Sequence, residues 1–361
     1  MAMKPVTSQI IAASQACCNE FQHVLCFLTM ATSREKKKVN LRDVARAAKV
    51  SSATVSRVLN SPKLVQEDTR KRVETAISEL NFHRSAAALA INSGRTRIVG
   101  ALIPTLENDI FALTIEAIEK RLGDFGYSLV VATTGEDPRQ EFRRAQELLN
   151  IGVDGLIVSG VSHDETMIRL FDKHQVPVIA TSYYDPEFGY PTIGYDNFAA
   201  ARMALDHILE LGRTHVAVVH GPELNNDRTR ARVAGARCKK QGVEQSFFET
   251  EMSVAGGAKA AVSALSSGTT IDAFLCVSDV IALGVLFEIQ RQGVSVPDDI
   301  SVVSIHDLPI SQTVSPRLTT VRLPARQMGT QAAEALANWL DHDIRPKPVC
   351  LESTLIKRET T

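Results

Sequence analysis

The sequence predicts an α/β protein: a small N-terminal three-helix bundle, then a larger body of doubly wound parallel sheets in two lobes. Two observations carry this. Between Asn40 and Asn81, three short segments place apolar residues at the three- and four-residue spacing of amphipathic helices. Beyond Arg97 the texture changes to short apolar runs alternating with helical periods, the pattern of βα units in parallel sheets covered on both faces.

The totals fit that reading. With 361 residues, 44% hydrophobic and 22% charged, the chain has room for two or three domains and a core that needs no disulfides. No run of apolar residues is long enough to argue for a membrane span. The six cysteines form no CxxC pair, and Cys17 and Cys18 are adjacent, which points to a reducing, cytoplasmic compartment. A net charge of −1 hides an asymmetry, because Lys36 to Arg97 carries fourteen Lys/Arg against five Asp/Glu. That +9 segment suits a polyanion and suits a solvated basic face; charge alone leaves both open.

Taken in order, residues 1–35 match nothing that follows. Their apolar run Val24–Leu28 lacks a basic flank and a small-residue cleavage site, which argues against a signal peptide. The expectation is a poorly ordered tail or an over-read of the start upstream of Met30, with no function. Residues 36–82 form the three-helix unit. In the first helix Leu41, Val44, Ala45 and Ala48 share a face. Val50-Ser51 breaks it, and Ser51 is a good N-cap for a second helix whose stripe is Val55, Val58 and Leu59. Asn60-Ser61-Pro62 ends that helix, and a third turns Val73, Ala76, Ile77 and Leu80 inward. The front of the second helix carries Ser52, Ala53, Ser56 and Arg57. Small residues there would let it enter a major groove, with hydroxyls and a guanidinium reaching phosphates and base edges. An ordinary solvated helix would look the same on these residues alone.

Strands are expected at Ile98–Pro104, Leu129–Ala132, Gly155–Val158, Val176–Ala180, His215–His220, Ala273–Val277, Ser301–Ile305 and Leu318–Leu323, with a closing strand within Leu351–Thr361. Helical periods lie between most of them, such as Ile110–Leu122, Phe198–Leu211 and Ile281–Gln290. Tyr195-Asp196-Asn197 roughly halves the region, which predicts two similar lobes. Ligands of such folds bind outside the carboxyl ends of the strands. There is no G-x-S-x-G, Walker loop, H-E-x-x-H or metal-spaced His/Cys cluster, so neither catalysis, a metal nor a cofactor is expected.

The run Leu41-Arg42-Asp43-Val44-Ala45-Arg46-Ala47-Ala48, then Val50-Ser51, then Ala53-Thr54-Val55-Ser56-Arg57-Val58-Leu59-Asn60 closely resembles the headpiece of the lactose/galactose/purine repressor family (LacI/GalR type). The likeness continues through Thr69–Val73, Leu80–Phe82 and Gly94–Thr96 and extends from Asn40 to the C-terminus. It implies a helix-turn-helix headpiece (36–82), a hinge helix (83–95) and a periplasmic-binding-protein-like core (96–361). The first lobe would take about 96–195 plus 325–343, the second about 196–324 plus 344–361. The function implied is a transcriptional regulator, a repressor by family habit, that binds double-stranded operator DNA and answers to a sugar, sugar acid or related metabolite.

Residue by residue, the resemblance puts sequence-specific contacts at Ser52 and Ala53, base or backbone contacts at Thr54 and Arg57, and phosphate contacts at Ser51 and Asn60. Ser56 belongs to the same face. Ala53 retains only apolar contact, for instance with a thymine methyl. Ile91 matches the position that wedges into the minor groove. The third helix departs from the pattern by carrying Gln66 where a capping Ser or Thr is usual. That costs of order 1 kcal/mol unless Glu67 and Asp68 offset it. In the core, Asp109 and Phe111 follow the first strand. Arg232-Val233-Ala234-Gly235 matches the family's R-x-x-G, whose arginine contacts effector, and Ser278, Asp279 and Asp307 follow two later strands. Ser182 stands where Asp is frequent. The tetramerising tail of some relatives is absent from the sequence, so a homodimer is expected. Two rival classes share parts of this reading. A solute-binding protein would need export, and an enzyme would need a catalytic constellation.

Overall fold

The computed structural model describes residues 39–82 and 94–361, which belong to two compact units that divide between Ala88 and Leu89. The expected extension (1–35) and Ile91 with most of the hinge lie outside the described residues.

The first unit is built as its stripes require. Helices α1 (Leu41–Ala47), α2 (Ser52–Asn60) and α3 (Glu67–Glu79) bury Val44, Val55 and Val73 completely, with Ala45, Ala48, Val58 and Ala76 around them. Each fully buried valine contributes about 1.5–3 kcal/mol, so this small core rests on few residues. Local signals set the ends. Asn40 and Asp43 form a reciprocal capping box on α1. The Ser51 hydroxyl accepts the Thr54 amide at 3.0 Å to start α2. Gln66 makes no side-chain cap on α3, and only Glu67 and Asp68 complement that terminus.

The second unit holds two six-stranded sheets. In the first, β1 (Ile98–Ile103), β2 (Ser128–Thr133), β3 (Gly155–Ser159), β4 (Val178–Thr181), β5 (Thr192–Gly194) and β11 (Val349–Cys350) lie in the order 11-5-4-3-1-2, all parallel. The second has β6 (His215–His220), β7 (Glu244–Glu249), β8 (Ala273–Cys276), β9 (Ser301–His306), β10 (Thr319–Arg322) and β12 (Thr354–Ile356) in the order 12-10-9-8-6-7, with only β12 antiparallel. The two lobes thus repeat one doubly wound topology. Helices α4 (Asp109–Asp124), α5 (Pro138–Ile151) and α6 (Glu165–His174) join the strands of the first lobe. Helices α7 (Asn197–Glu210), α8 (Asp227–Ala236), α9 (Val254–Leu265) and α10 (Asp279–Arg291) serve the second, and α11 (Ala325–His342) returns to pack on α4, β4 and β5.

The chain therefore crosses between lobes at Gly194–Asn197, Arg322–Ala325 and Cys350–Thr354. The last crossing corrects one expectation. The resemblance places residues 344–361 whole in the second lobe, yet Val349 and Cys350 pair with Ile193 and Gly194 of β5 in the first sheet. Without them the outer edge of β5 would present unpaired backbone groups.

Candidate nucleic-acid interface and ligand cleft

Helix α2 turns Val55 and Val58 into the bundle and leaves Ala53 and Arg57, one helical turn apart, on its exposed side. Ser52, Thr54 and Ser56 are half-buried beside them. Ser51 is exposed, but its hydroxyl is engaged with the Thr54 amide and lies 2.9 Å from the Thr54 hydroxyl, so these two groups fix the helix start. Arg57 makes no ion pair among the described residues, and its charge faces outward. Asn60 closes the helix; its side chain lies outside what is described.

In the second unit a cavity of about 370 Å³ opens between the two lobes. Its walls come from the residues just past the carboxyl ends of β1, β2, β4, β5, β6, β7 and β9, as a doubly wound pair requires. From the first lobe come Phe111 and Thr114 of α4, Glu136, Ser182 and Tyr195. The second lobe supplies Asn226, Arg228, Arg232, Ser253 and His306.

Two buried cations, Arg228 and Arg232, line this wall, and Arg232 has no ion pair among the described residues. Its Nε donates to Asn197 Oδ1 at 2.9 Å, and its Nη1 donates to the Val277 carbonyl at 2.9 Å and to His306 Nε2 at 2.8 Å. Nη2 has no hydrogen-bond partner among the described residues. Burial pulls the guanidinium down to a pKa of about 10, still charged at neutral pH. Burial and then the neighbouring Arg232 hold His306 well below the ordinary histidine value. It is therefore neutral, accepts at Nε2, and turns its Nδ1–H toward Ser278 Oγ at 3.3 Å. Gly235 lets α8 seat the arginine, since a Cβ there would run into the Phe198 carbonyl of α7. Ser182 sits buried at φ +67, its carbonyl accepting from Asn197 Nδ2 at 2.9 Å.

Three of the seven expected effector residues, Phe111, Ser182 and Arg232, therefore share the cavity wall. The other four do not reach it. Asp109 is exposed at the start of α4. Ser278 lies behind His306. Asp279 is fully buried, its carboxylate accepting from Ser304 Oγ (2.5 Å), Thr320 Oγ1, Ser311 Oγ and the Leu308 amide (2.7 Å each). It ties β9, β10 and α10 together and has no lone pair directed at the cleft. Asp307 is neutralised by Arg322 and Arg358, both at 2.7 Å, and faces a different groove. Sequence reasoning missed Glu136, Asn226 and Arg228. Asn226 and Arg228 flank the start of α8 past β6, so the strand-end rule applied there would have found them.

A basic helix-turn-helix unit joined to a two-lobed cleft module defines a ligand-responsive DNA-binding regulator. The chain matches the profile "Bacterial regulatory proteins, lacI family" over residues 40–85 and "Periplasmic binding protein-like domain" over residues 205–361. It is 30% identical over 333 residues to the HTH-type transcriptional regulator GntR of Escherichia coli (strain K12), covering 89% of this chain and 98% of that one. It is also 30% identical over 316 residues to the HTH-type transcriptional repressor PurR of Aliivibrio fischeri (strain MJ11), covering 84% and 94% of the two chains. Among solved structures, the Lac repressor dimer bound to operator and the anti-inducer ONPF superposes with a TM-score of 0.81 at 27% identity, covering 90% of this chain and 99% of that one. The chain belongs to the lacI family of bacterial regulatory proteins. It is a DNA-binding transcriptional regulator with an effector-binding core. Among the described residues no helix is long and apolar enough to cross a membrane.

Proposed function

We propose that this chain represses transcription as a homodimer, reading a pseudo-palindromic operator through the exposed face of α2, and that a small polar metabolite in the cleft controls that grip. A sugar or sugar derivative is the class we favour. The observation that carries the reading is Arg232: a buried, charged side chain with one donor nitrogen unspent on the wall of a cavity of ligand size. Asn226, Ser253 and Thr114 add donors and acceptors suited to hydroxyl groups, and Phe111 offers an apolar face. Ala53 and Arg57 are the α2 residues we assign to base or phosphate contact, with Ser52 and Ser56 beside them.

The test has two parts. Selection from a randomised duplex library should enrich a two-fold symmetric site that the protein prefers over random duplex. A thermal-shift screen of sugars, sugar acids and nucleobases should then find compounds that raise the melting temperature, because a ligand bound only by the native state stabilises it. Those compounds should change affinity for the selected site. No enriched site would overturn the DNA assignment. Stabilising ligands that leave DNA affinity unchanged would overturn the control assignment.

A further inference from the structure

Across the mouth of the cleft, side chains of the second lobe bond groups of the first. Asp227, at the start of α8, is 5% exposed. Its Oδ2 accepts the amides of Val161 (2.5 Å) and Ser162 (2.9 Å), which follow β3 in the other lobe. Its Oδ1 accepts the Arg228 amide and Nη1, at 2.7 and 3.0 Å, which fixes the guanidinium. Arg228 then reaches back across the cleft, with Nη1 donating to the Ser159 carbonyl and Nη2 to Glu136 Oε1, both at 3.3 Å. Glu136 Oε1 also accepts Asn226 Nδ2 at 2.7 Å.

Two further facts make this more than a chance meeting of side chains. The three crossings between lobes leave from β5, β10 and β11, toward one edge of the sheets, whereas Glu136 follows β2 at the opposite edge. The bonds therefore sit where they oppose opening about those crossings. Gly160 has φ +86, and a Cβ there would lie 2.7 Å from Asp227 Oδ2 and closer still to Arg228 Nη1. Only glycine lets the second lobe's carboxylate come down onto the backbone of the first.

We infer that Glu136, Asn226, Asp227 and Arg228 form a latch that holds the lobes closed over the effector cavity and so act as positioning residues for effector binding. A ligand that fits only the closed cleft binds with its intrinsic affinity reduced by the closed fraction, and the latch sets that fraction. The inference concerns the cavity of the proposed function, but its test needs no effector, so either can fail while the other stands.

Residue-resolved hydrogen exchange on the full chain supplies the test, with an internal control. The Gly160 amide bonds the Thr181 carbonyl within the first lobe at 2.8 Å, while the next two amides bond across the cleft. In Glu136→Ala, which leaves Asp227 in place, Val161 and Ser162 should exchange at least about tenfold faster than in the parent while Gly160 is unchanged. Gly160→Ala, which retains every donor and acceptor, should accelerate Ser162 as well. Unchanged Val161 and Ser162 in Glu136→Ala would mean the contacts do not act as a unit. Equal acceleration at Gly160 in that variant would mean the loop frays within one lobe. Either result overturns the latch.

Discussion

Arg232 is a cation that the fold buries without giving it an anion. Asn197, the Val277 carbonyl and a neutral His306 satisfy Nε and Nη1, and no carboxylate shares the work. Arg232→Ala should abolish the thermal shift from cleft ligands and the response of DNA binding to them. Affinity for the selected site, measured by fluorescence anisotropy, should stay within about threefold of the parent. Loss of DNA binding as well would move the residue from recognition to scaffolding. His306 gives a pH signature. Its folded pKa is depressed, as is that of His207, where burial leads and Lys357 adds to it. The unfolded chain, titrating near pH ~6.5, therefore takes up protons that the native state refuses. Stability is fully present above that pH and is lost as pH falls below it, by at most about 1.4 kcal/mol per pH unit for each histidine. Urea midpoints at pH 7.5 and 5.5 should fall less in His306→Gln than in the parent; parallel falls would show that His306 titrates freely. The residue scale is also where the sequence misled. A carboxylate after a strand looks the same whether it waits for a ligand or, like Asp279, has its oxygens filled by Ser304, Ser311, Thr320 and Leu308. Those partners lie 25 or more positions away and leave no local trace.

At the scale of elements, legibility followed burial. Strands β6, β8 and β9 are largely buried and read as mainly apolar runs, broken in β9 only by Ser304, so sequence and structure agree to within a residue at each end. Strand β7, Glu244-Gln245-Ser246-Phe247-Phe248-Glu249, pairs only with β6 at the sheet edge and is half-solvated, so it carries no such run. β5 and β11 have three and two residues and are held by their neighbours' ladders rather than by their own propensity. Helix starts were legible where a small polar residue caps them, as Ser51 does for α2. Helix α3 lacks such a bond at Gln66, as α10 does at Ser278 and α11 at Pro324. Gln66→Ser should accept an amide of the first turn and raise headpiece stability by about 0.5–1 kcal/mol. Native-state exchange at the Val73 amide, deep in the bundle, measures that gain. An unchanged rate would mean Glu67 and Asp68 already saturate the terminus.

For the whole molecule, the surplus of base over acid is a property of the sequence from Lys36 to Arg97, fourteen Lys/Arg against five Asp/Glu, and this stretch includes the helix-turn-helix unit. Each phosphate neutralised releases counterions, so affinity for the selected site should fall linearly on a log–log salt plot, with a slope of about −0.9 per phosphate contact. In Arg57→Ala the slope should shrink by about one if the side chain holds a phosphate. It should stay put, while preference at one base pair relaxes, if the side chain reads a base edge. A variant indistinguishable from the parent in both respects would remove Arg57 from the interface.

Coupling between cleft and headpiece is the property that neither unit has alone, and linkage makes it doubly testable. If a cleft ligand changes DNA affinity by some factor, bound DNA must change ligand affinity by the same factor, because both routes end in one ternary state. Regulators of this size work with factors of roughly 5–150, or about 1–3 kcal/mol. Calorimetric titration of the ligand into protein with and without its selected duplex gives one leg, and anisotropy with and without ligand gives the other. The two factors should agree, and Glu136→Ala should move them together by changing the closed fraction that the ligand selects. A factor of one on both legs would leave two functional units that share a chain but no free energy.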